Sequence, residues 1–473
     1  MPSSYRTPDG LSNRKQSPGA YGAVFLPNAD GRMSRPGEPD RIGAKDRDVP
    51  APNEAAIATK ETTMLALLGA VAVSASSYPP PKQLPRITVR SGQFVEAVSG
   101  KPFHPRGFNY IRLRTAGSGD QKFLWHDTLN PATYSSARTE AMFADLERRG
   151  FTLVRIFLDH MTGAGFVAEA GAEGLSPAYM RKLFDFLERA RAHRVYVIPC
   201  FCYLPDVAGY RGGAPPENVA GMNRPYLDPG YMRGKARYMA DVCAAIKKHD
   251  PSLLSTVFAY ELENESHFIA TEPPFSLTSG TIHWQGKTYD ASRPEELQRQ
   301  ADDGIIAAVN AAAEAVKKVD RQAMVGASVF TFQAVGRTGP ARLRDDKTPD
   351  GRFPARPLAI ARSKSAYVDI HFYPMSETSL DGDYRSIEFP ELRAACRKAG
   401  KPMIVGEIGC FRHVYKDVPT AAEGMRKSLA RLQRDGFAGF LYWTYDNDEQ
   451  NDHLWHALAG KGEIIAELEQ AMR

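Results

Sequence analysis

From residue 85 onward, short apolar runs alternate with helical patterns, and this alternation constrains the fold more than any other feature of the chain. The apolar runs fall at 107–111, 152–158, 195–201, 256–260, 323–327, 367–371, 402–406 and 439–443. Helical patterns at 138–150, 177–193, 231–249, 295–319, 390–400, 420–436 and 463–472 separate or follow them. Near-continuous apolar strands of about five residues, each followed by a helix, indicate a parallel sheet buried on both faces. Eight such units in residues 84–473 predict an α/β fold, a (β/α)8 TIM barrel with enlarged βα loops, rather than an open doubly wound sheet. No Gly-x-Gly-x-x-Gly or Walker loop follows a strand, so no nucleotide cofactor is expected. Ahead of the barrel, residues 86–104 with their Ser91-Gly92 and Gly100-Lys101 turns predict an N-terminal β-hairpin lying against the barrel's N-terminal end.

Residues 1–83 differ in kind. They hold 11 of the 34 prolines and scattered charges without period, the composition of a disordered leader. Within it the apolar run 64–73 and the small residues to Ala75 form a signal-like segment, 64–75, too short to span a bilayer. The expected location is secreted or periplasmic; the alternative is a cytoplasmic protein with a disordered tail. Deleting 1–83 is expected to leave stability and activity nearly unchanged.

Sixty Lys and Arg against 55 Asp and Glu leave +5, too little for the dense basic stripe of a nucleic-acid binder. No nucleic-acid partner, no integral membrane span and a monomeric state are expected. The five cysteines are few and widely spread, and Cys200-x-Cys202 lacks the two-residue spacer of zinc and redox motifs, so they read as small core residues.

In a (β/α)8 barrel the active site is built at the C-terminal strand ends. Those ends carry Asn109, Arg155 with Asp159-His160, Tyr203, the segment Glu261-Leu-Glu-Asn-Glu265, His371 and Tyr373, Glu407 and Trp443. The fourth and seventh strands thus face each other with a glutamate each. Opposed carboxylates are what glycosidic cleavage requires: one protonated to donate to the leaving oxygen, the other ionised to attack or activate water. Strand ends lack the His-x-His and clustered Asp ligands of a metal-dependent hydrolase, so no metal is expected.

The segments VFAYELENE (257–265) and KPMIVGEIG (401–409), with RGFN (106–109), VRIF (154–157), HFY (371–373) and YW (442–443), resemble the retaining (β/α)8 glycoside hydrolases. This is the clan of the cellulase-type family 5 enzymes and the β-mannanases, and the resemblance covers residues 85–473. It implies Glu265 as acid/base, Glu407 as nucleophile and Asn264 on the 2-hydroxyl of the cleaved sugar. It further implies Arg155 and Tyr373 holding the nucleophile, Trp443 as the floor under the sugar, and Asn109 and His371 among the substrate-binding set. The implied substrate is a β-linked polysaccharide or oligosaccharide, mannan ahead of glucan; the alternative is a carbohydrate-binding pseudoenzyme on the same barrel.

Three expectations follow. The carboxyl groups of Glu265 and Glu407 should lie about 5–5.5 Å apart. Burial beside a second, ionised carboxylate should keep Glu265 protonated, while Arg155 and Tyr373 keep Glu407 ionised. Strict alternation would point Glu261, Glu263 and Glu265 the same way, so the strand end must be irregular for Glu263 to turn away. Trp284 reads equally as a sugar platform or a hairpin anchor, in a long loop, 266–295, that with 203–231 could wall the cleft. Trp125, Asp446 and Asp448 are further subsite candidates.

Overall fold

The computed structural model describes residues 81–116, 123–158, 167–168, 173–344, 348–375, 379–447 and 453–472. Apart from its last three residues, the leader 1–83 with its signal-like segment 64–75 lies outside the described residues, as do Asp159, His160, Asp448 and the side chain of Trp125.

The eight barrel strands are β1 (Arg106–Asn109), β2 (Leu153–Leu158), β3 (Tyr196–Phe201), β4 (Tyr260–Glu261), β5 (Val325–Gly326 and Ser328–Phe330), β6 (Val368–His371), β7 (Met403–Ile408) and β8 (Phe437–Trp443). Every pairing round the sheet is parallel. The first half of β5 pairs with β4 and the second half with β6. Since Ala327 alone separates the halves, the sheet closes on itself. All residues of β2, β3 and β7 are buried, which is why these strands read as unbroken apolar runs rather than alternating ones.

The covering helices are α1 (Ser136–Arg149), α2 (Pro177–Ala192), α3 (Pro229–His249), α4 (Pro294–Val319), α5 (Pro357–Arg362), α6 (Phe389–Ala399), α7 (Val418–Arg434) and α8 (Glu463–Gln470). Their starts follow from side chains that take up the orphan N–H groups of the first turn: Ser135 accepts from the Arg138 amide, Ser176 from Tyr179, Asp228 from Gly230 and Asp417 from Thr420.

Two strands differ from their expected spans. The run 256–260 contributes only an isolated bridge from Val257 to Val197, and β4 proper begins at Tyr260. The chain leaves the sheet almost at once because its next residues turn to serve the cleft. At the fifth position the strand extends past 327 to Phe330.

The hairpin pairs Ile87–Arg90 with Gln93–Glu96 around Ser91 and Gly92, both with positive φ, as a two-residue type I′ turn demands. Its Phe94 ring lies 5.1 Å from Phe258 and 5.9 Å from Tyr367. With Leu84 and Ile87 it joins Leu153, Tyr196, Met324 and Ile404 in a cluster at the N-terminal ends of the strands. The hairpin therefore plugs the bottom of the barrel, opposite the strand ends that carry the glutamates. Truncating Phe94→Ala is expected to cost about 3–5 kcal/mol, seen as a lower denaturant midpoint at unchanged m-value; an unchanged midpoint would mean that the plug contributes nothing. Among the described residues no helix is long and apolar enough to cross a membrane.

Candidate active site

Arg155 organises the C-terminal end of the barrel. It is wholly buried on β2, and its guanidinium is shared among residues of three other strands. Nε and Nη2 form a two-point pair with Glu261 on β4, at 2.9 and 2.7 Å. Nη1 donates to Glu407 Oε1 on β7 at 2.7 Å and to Asn109 Oδ1 on β1 at 2.9 Å. Nη2 also donates to Asn264 Oδ1 at 2.8 Å. Five planar N–H donors suit this task, and a lysine could not repeat the geometry. Burial disfavours the cation, but Glu261, Cys200 and Glu407 hold its pKa well above the ordinary arginine value.

Three glutamates at alternate positions, Glu261, Glu263 and Glu265, avoid mutual repulsion because each has its own partner. Glu261 pairs with Arg155. Glu263 turns out of the cleft, where it accepts from the Tyr203 amide at 2.9 Å and pairs with Lys235 of α3 at 3.2 Å. The Lys235 ammonium also donates to the Phe201 and Tyr203 carbonyls. Burial raises the Glu263 carboxyl against the opposing pull of Lys235. Glu265 sits with φ 48°, a left-handed conformation uncommon for a residue with a Cβ, and its amide donates to Ser328 Oγ at 3.0 Å. That turn carries its carboxylate back over the cleft, and it is the irregular strand end that the ELENE segment required.

His371, at the end of β6, stands between the two glutamates. Its Nδ1 lies 3.2 Å from Glu265 Oε1 and 3.5 Å from Glu407 Oε2. The Tyr373 hydroxyl donates to Glu407 Oε2 at 2.7 Å. One oxygen each of Glu265 and Glu407 and one nitrogen of His371 all fall within 4.8 Å of one another. This is the group of the described residues whose spacing could suit a metal ion, and the His371–Glu265 hydrogen bond accounts for the closeness without one.

The pKa shifts of the two glutamates run opposite to those expected. Burial raises Glu265, but the hydrogen bond and charge of His371, with Arg352 adding, bring its pKa below the ordinary value. Burial leaves Glu407 above the ordinary value, the Glu265 charge contributing, although His371, Arg155 and Tyr373 oppose it. His371 is itself raised, because Glu407, Glu265 and Asp369 outweigh its burial. The omitted group was the imidazole, whose hydrogen bond and charge are the main causes that lower Glu265. Three such close groups titrate as a unit rather than singly.

Other expected site residues are placed differently. Asn109 is 0% exposed, its Oδ1 taken by Arg155 and its Nδ2 donated to the Gly406 carbonyl at 2.9 Å. It is a strut between β1, β2 and β7, too deep to bind substrate. Trp443 is 2% exposed and packs edge-on to Phe157 at 5.8 Å, so an open face for a sugar is not what it presents. Its ring packs in an apolar cluster with Ile111, Cys200 and Leu454. Asn264, half-buried, stays at the cleft. Trp284 is a hairpin anchor: it is buried and its indole N–H donates to the Leu227 carbonyl at 2.7 Å. Asp446 is bound up with Arg112 and Arg138. All five cysteines are buried free thiols, Cys200 and Cys202 3.8 Å apart.

The sequence reading missed Glu261 as the main counter-ion of Arg155, Lys235 as the partner of Glu263, and Asp369. Lys235 had a signal. It falls three residues after Met232 and four before Met239, on the apolar stripe of a helix, where a lysine needs a buried partner.

No model of a known protein family matches this sequence, and no curated protein does. Solved structures match through the fold. The endo-1,4-beta-mannanase from Rhizomucor miehei superposes with a TM-score of 0.53 at 14% identity, covering 82% of this chain and 99% of that one. The chain thus has a (β/α)8 barrel fold similar to that of this mannanase. A glycoside hydrolase family 5 mannosidase from Rhizomucor miehei gives 0.49 at 12% identity, with 83% and 98% covered. The beta-mannanase from blue mussel Mytilus edulis gives 0.46 at 14%, with 82% and 97% covered.

Proposed function

We propose that this chain is a retaining β-glycosidase acting by double displacement, with Glu407 as nucleophile and Glu265 as acid/base. The observation that carries this is the approach of Glu265 and Glu407 oxygens to within 4.8 Å across the barrel mouth. Direct attack with a covalent intermediate uses carboxyl groups about 5–5.5 Å apart, whereas inversion needs about 6.5–9.5 Å to admit a water.

The surroundings fit these roles. Arg155 and Tyr373 each hold one oxygen of Glu407, which orients the carboxylate for attack and favours its charged form. As Glu407 bonds to the anomeric carbon its negative charge is lost, and with it the largest attraction holding the proton on His371. The proton then moves to Glu265 and on to the departing oxygen. In the second half, Glu265 removes a proton from the water that releases the sugar, by microscopic reversibility. Asn264 has its Oδ1 on Arg155, which leaves its amide N–H groups to donate to the sugar's 2-hydroxyl.

The substrate we propose is β-mannan, with β-glucan second, on the likeness to a protein whose name is endo-1,4-beta-mannanase. Purified protein incubated with β-mannan, β-glucan and xylan, with product lengths read out, is expected to release oligosaccharides or monosaccharide from mannan. Binding without release from any of the three would favour a carbohydrate-binding pseudoenzyme and overturn the assignment.

A further inference from the structure

One buried carboxylate has no part in the mechanism so far. Asp369 lies on β6 two residues before His371, so both side chains point to the same face of the strand. Asp369 is fully buried and His371 nearly so. Asp369 Oδ1 accepts the Gly406 amide N–H at 2.6 Å, tying β6 to the residue before Glu407. A Cβ on Gly406 would come within 2.2 Å of Asp369 Oδ2, so glycine there is what admits the carboxylate.

Two polar atoms are left without hydrogen-bond partners, Asp369 Oδ2 and His371 Nε2. Nε2 lies 3.9 Å from Asp369 Oδ1. That gap is wider than a hydrogen bond. Buried polar groups left without partners are costly, so each of these two orphans calls for an explanation.

We propose that Asp369 is a positioning residue that holds a proton on Nε2 of His371, leaving Nδ1 as the atom that exchanges a proton with Glu265. The inference rests on the glycosidase reading for its consequence, though not for its geometry. When His371 gives its Nδ1 proton to Glu265 Oε1, the neutral ring must keep its hydrogen on Nε2; an acceptor at Nε2 selects that tautomer, as the carboxylate behind a catalytic histidine does elsewhere. The charged groups around Asp369 are His371, Glu261 and Arg155, with the Tyr367 phenol near it. Burial pushes Asp369 up to about 7, Glu261 adding and His371 and Arg155 opposing. The acceptor is therefore in place above neutrality and is lost as pH falls.

The test uses the full chain labelled with 15N in histidine, with the His371 signals assigned by their loss in His371→Gln. Above pH 7 the neutral ring is expected to carry its hydrogen on Nε2; a hydrogen on Nδ1 would overturn the proposal. This reading needs no activity, so it stands apart from the failure of the glycosidase assignment, which is absence of hydrolysis by the wild-type protein. Asp369→Asn keeps an oxygen for Gly406 but turns N–H groups toward Nε2. It is expected to move the hydrogen to Nδ1. It should also lower kcat about 10²-fold on oligosaccharides, the low end of what a positioned acid supplies, and less than about threefold on an aryl glycoside with a good leaving group. Equal losses on both substrates, at unchanged melting temperature and tautomer, would show a merely structural role.

Discussion

Glu407→Ala is expected to reduce turnover by roughly 10⁴-fold or more on every substrate, because it removes the atom that forms the covalent bond. In barrier terms that is about 5 kcal/mol or more. The effect should not arise from unfolding. Arg155, which loses one partner, keeps its two-point pair with Glu261 and its bond to Asn109, so no buried cation is stranded. Removing a carboxyl that burial already holds above its ordinary pKa also relieves a desolvated group. Thermal melting near the wild-type value, with turnover abolished on natural and activated substrates alike, is the expected pair of results. Retention of activity on an aryl glycoside would show that Glu407 is not the nucleophile.

Glu265→Ala should behave differently. Its loss matters in proportion to how much the leaving oxygen needs a proton, so oligosaccharides should slow by about 10²–10⁴-fold while a dinitrophenyl glycoside forms its intermediate nearly as before. Release of that intermediate, which needs a base, becomes limiting, and a burst of phenolate followed by a slow phase is expected. Equal loss on both substrates, without a burst, would contradict the division of roles between the two glutamates.

The fold was readable from residue order because burial on both faces makes each barrel strand an apolar run, and serine or aspartate caps mark where several helices begin. Glu265 and Glu407 were legible as strand-end carboxylates by the same logic. What resisted reading is set by contacts between residues distant in the chain. Nothing local to Glu261 reveals that Arg155, 106 residues earlier, will take both its oxygens. Nothing near Asn109 shows that both ends of its amide are consumed inside the barrel wall. The short β4 was misjudged because an apolar run reports burial, and 256–259 are buried without belonging to the regular sheet. The pKa directions were misjudged for a similar reason: two glutamates were weighed against an arginine and a phenol, and the imidazole that stands between them was left out.

The lysine under the ELENE segment shows how the site was made compatible with folding. Three carboxylates within five residues would repel strongly in a low-dielectric interior. The chain distributes them to three basic partners on three different elements: Arg155 on β2, Lys235 on α3 and His371 on β6. Only the third partner is a group whose charge can change near neutral pH, and it serves the glutamate assigned to proton transfer.

The configuration of the first-formed product tests the central claim most directly. Proton NMR of a reaction on a β-linked manno- or gluco-oligosaccharide, recorded before the sugar mutarotates, reads the anomeric centre at the cut. Two successive displacements by Glu407 and then water predict the β-anomer as the initial product, with the α-anomer growing in only at the rate of mutarotation. An initial α-anomer would mean a single displacement by water, and would contradict the covalent role of Glu407.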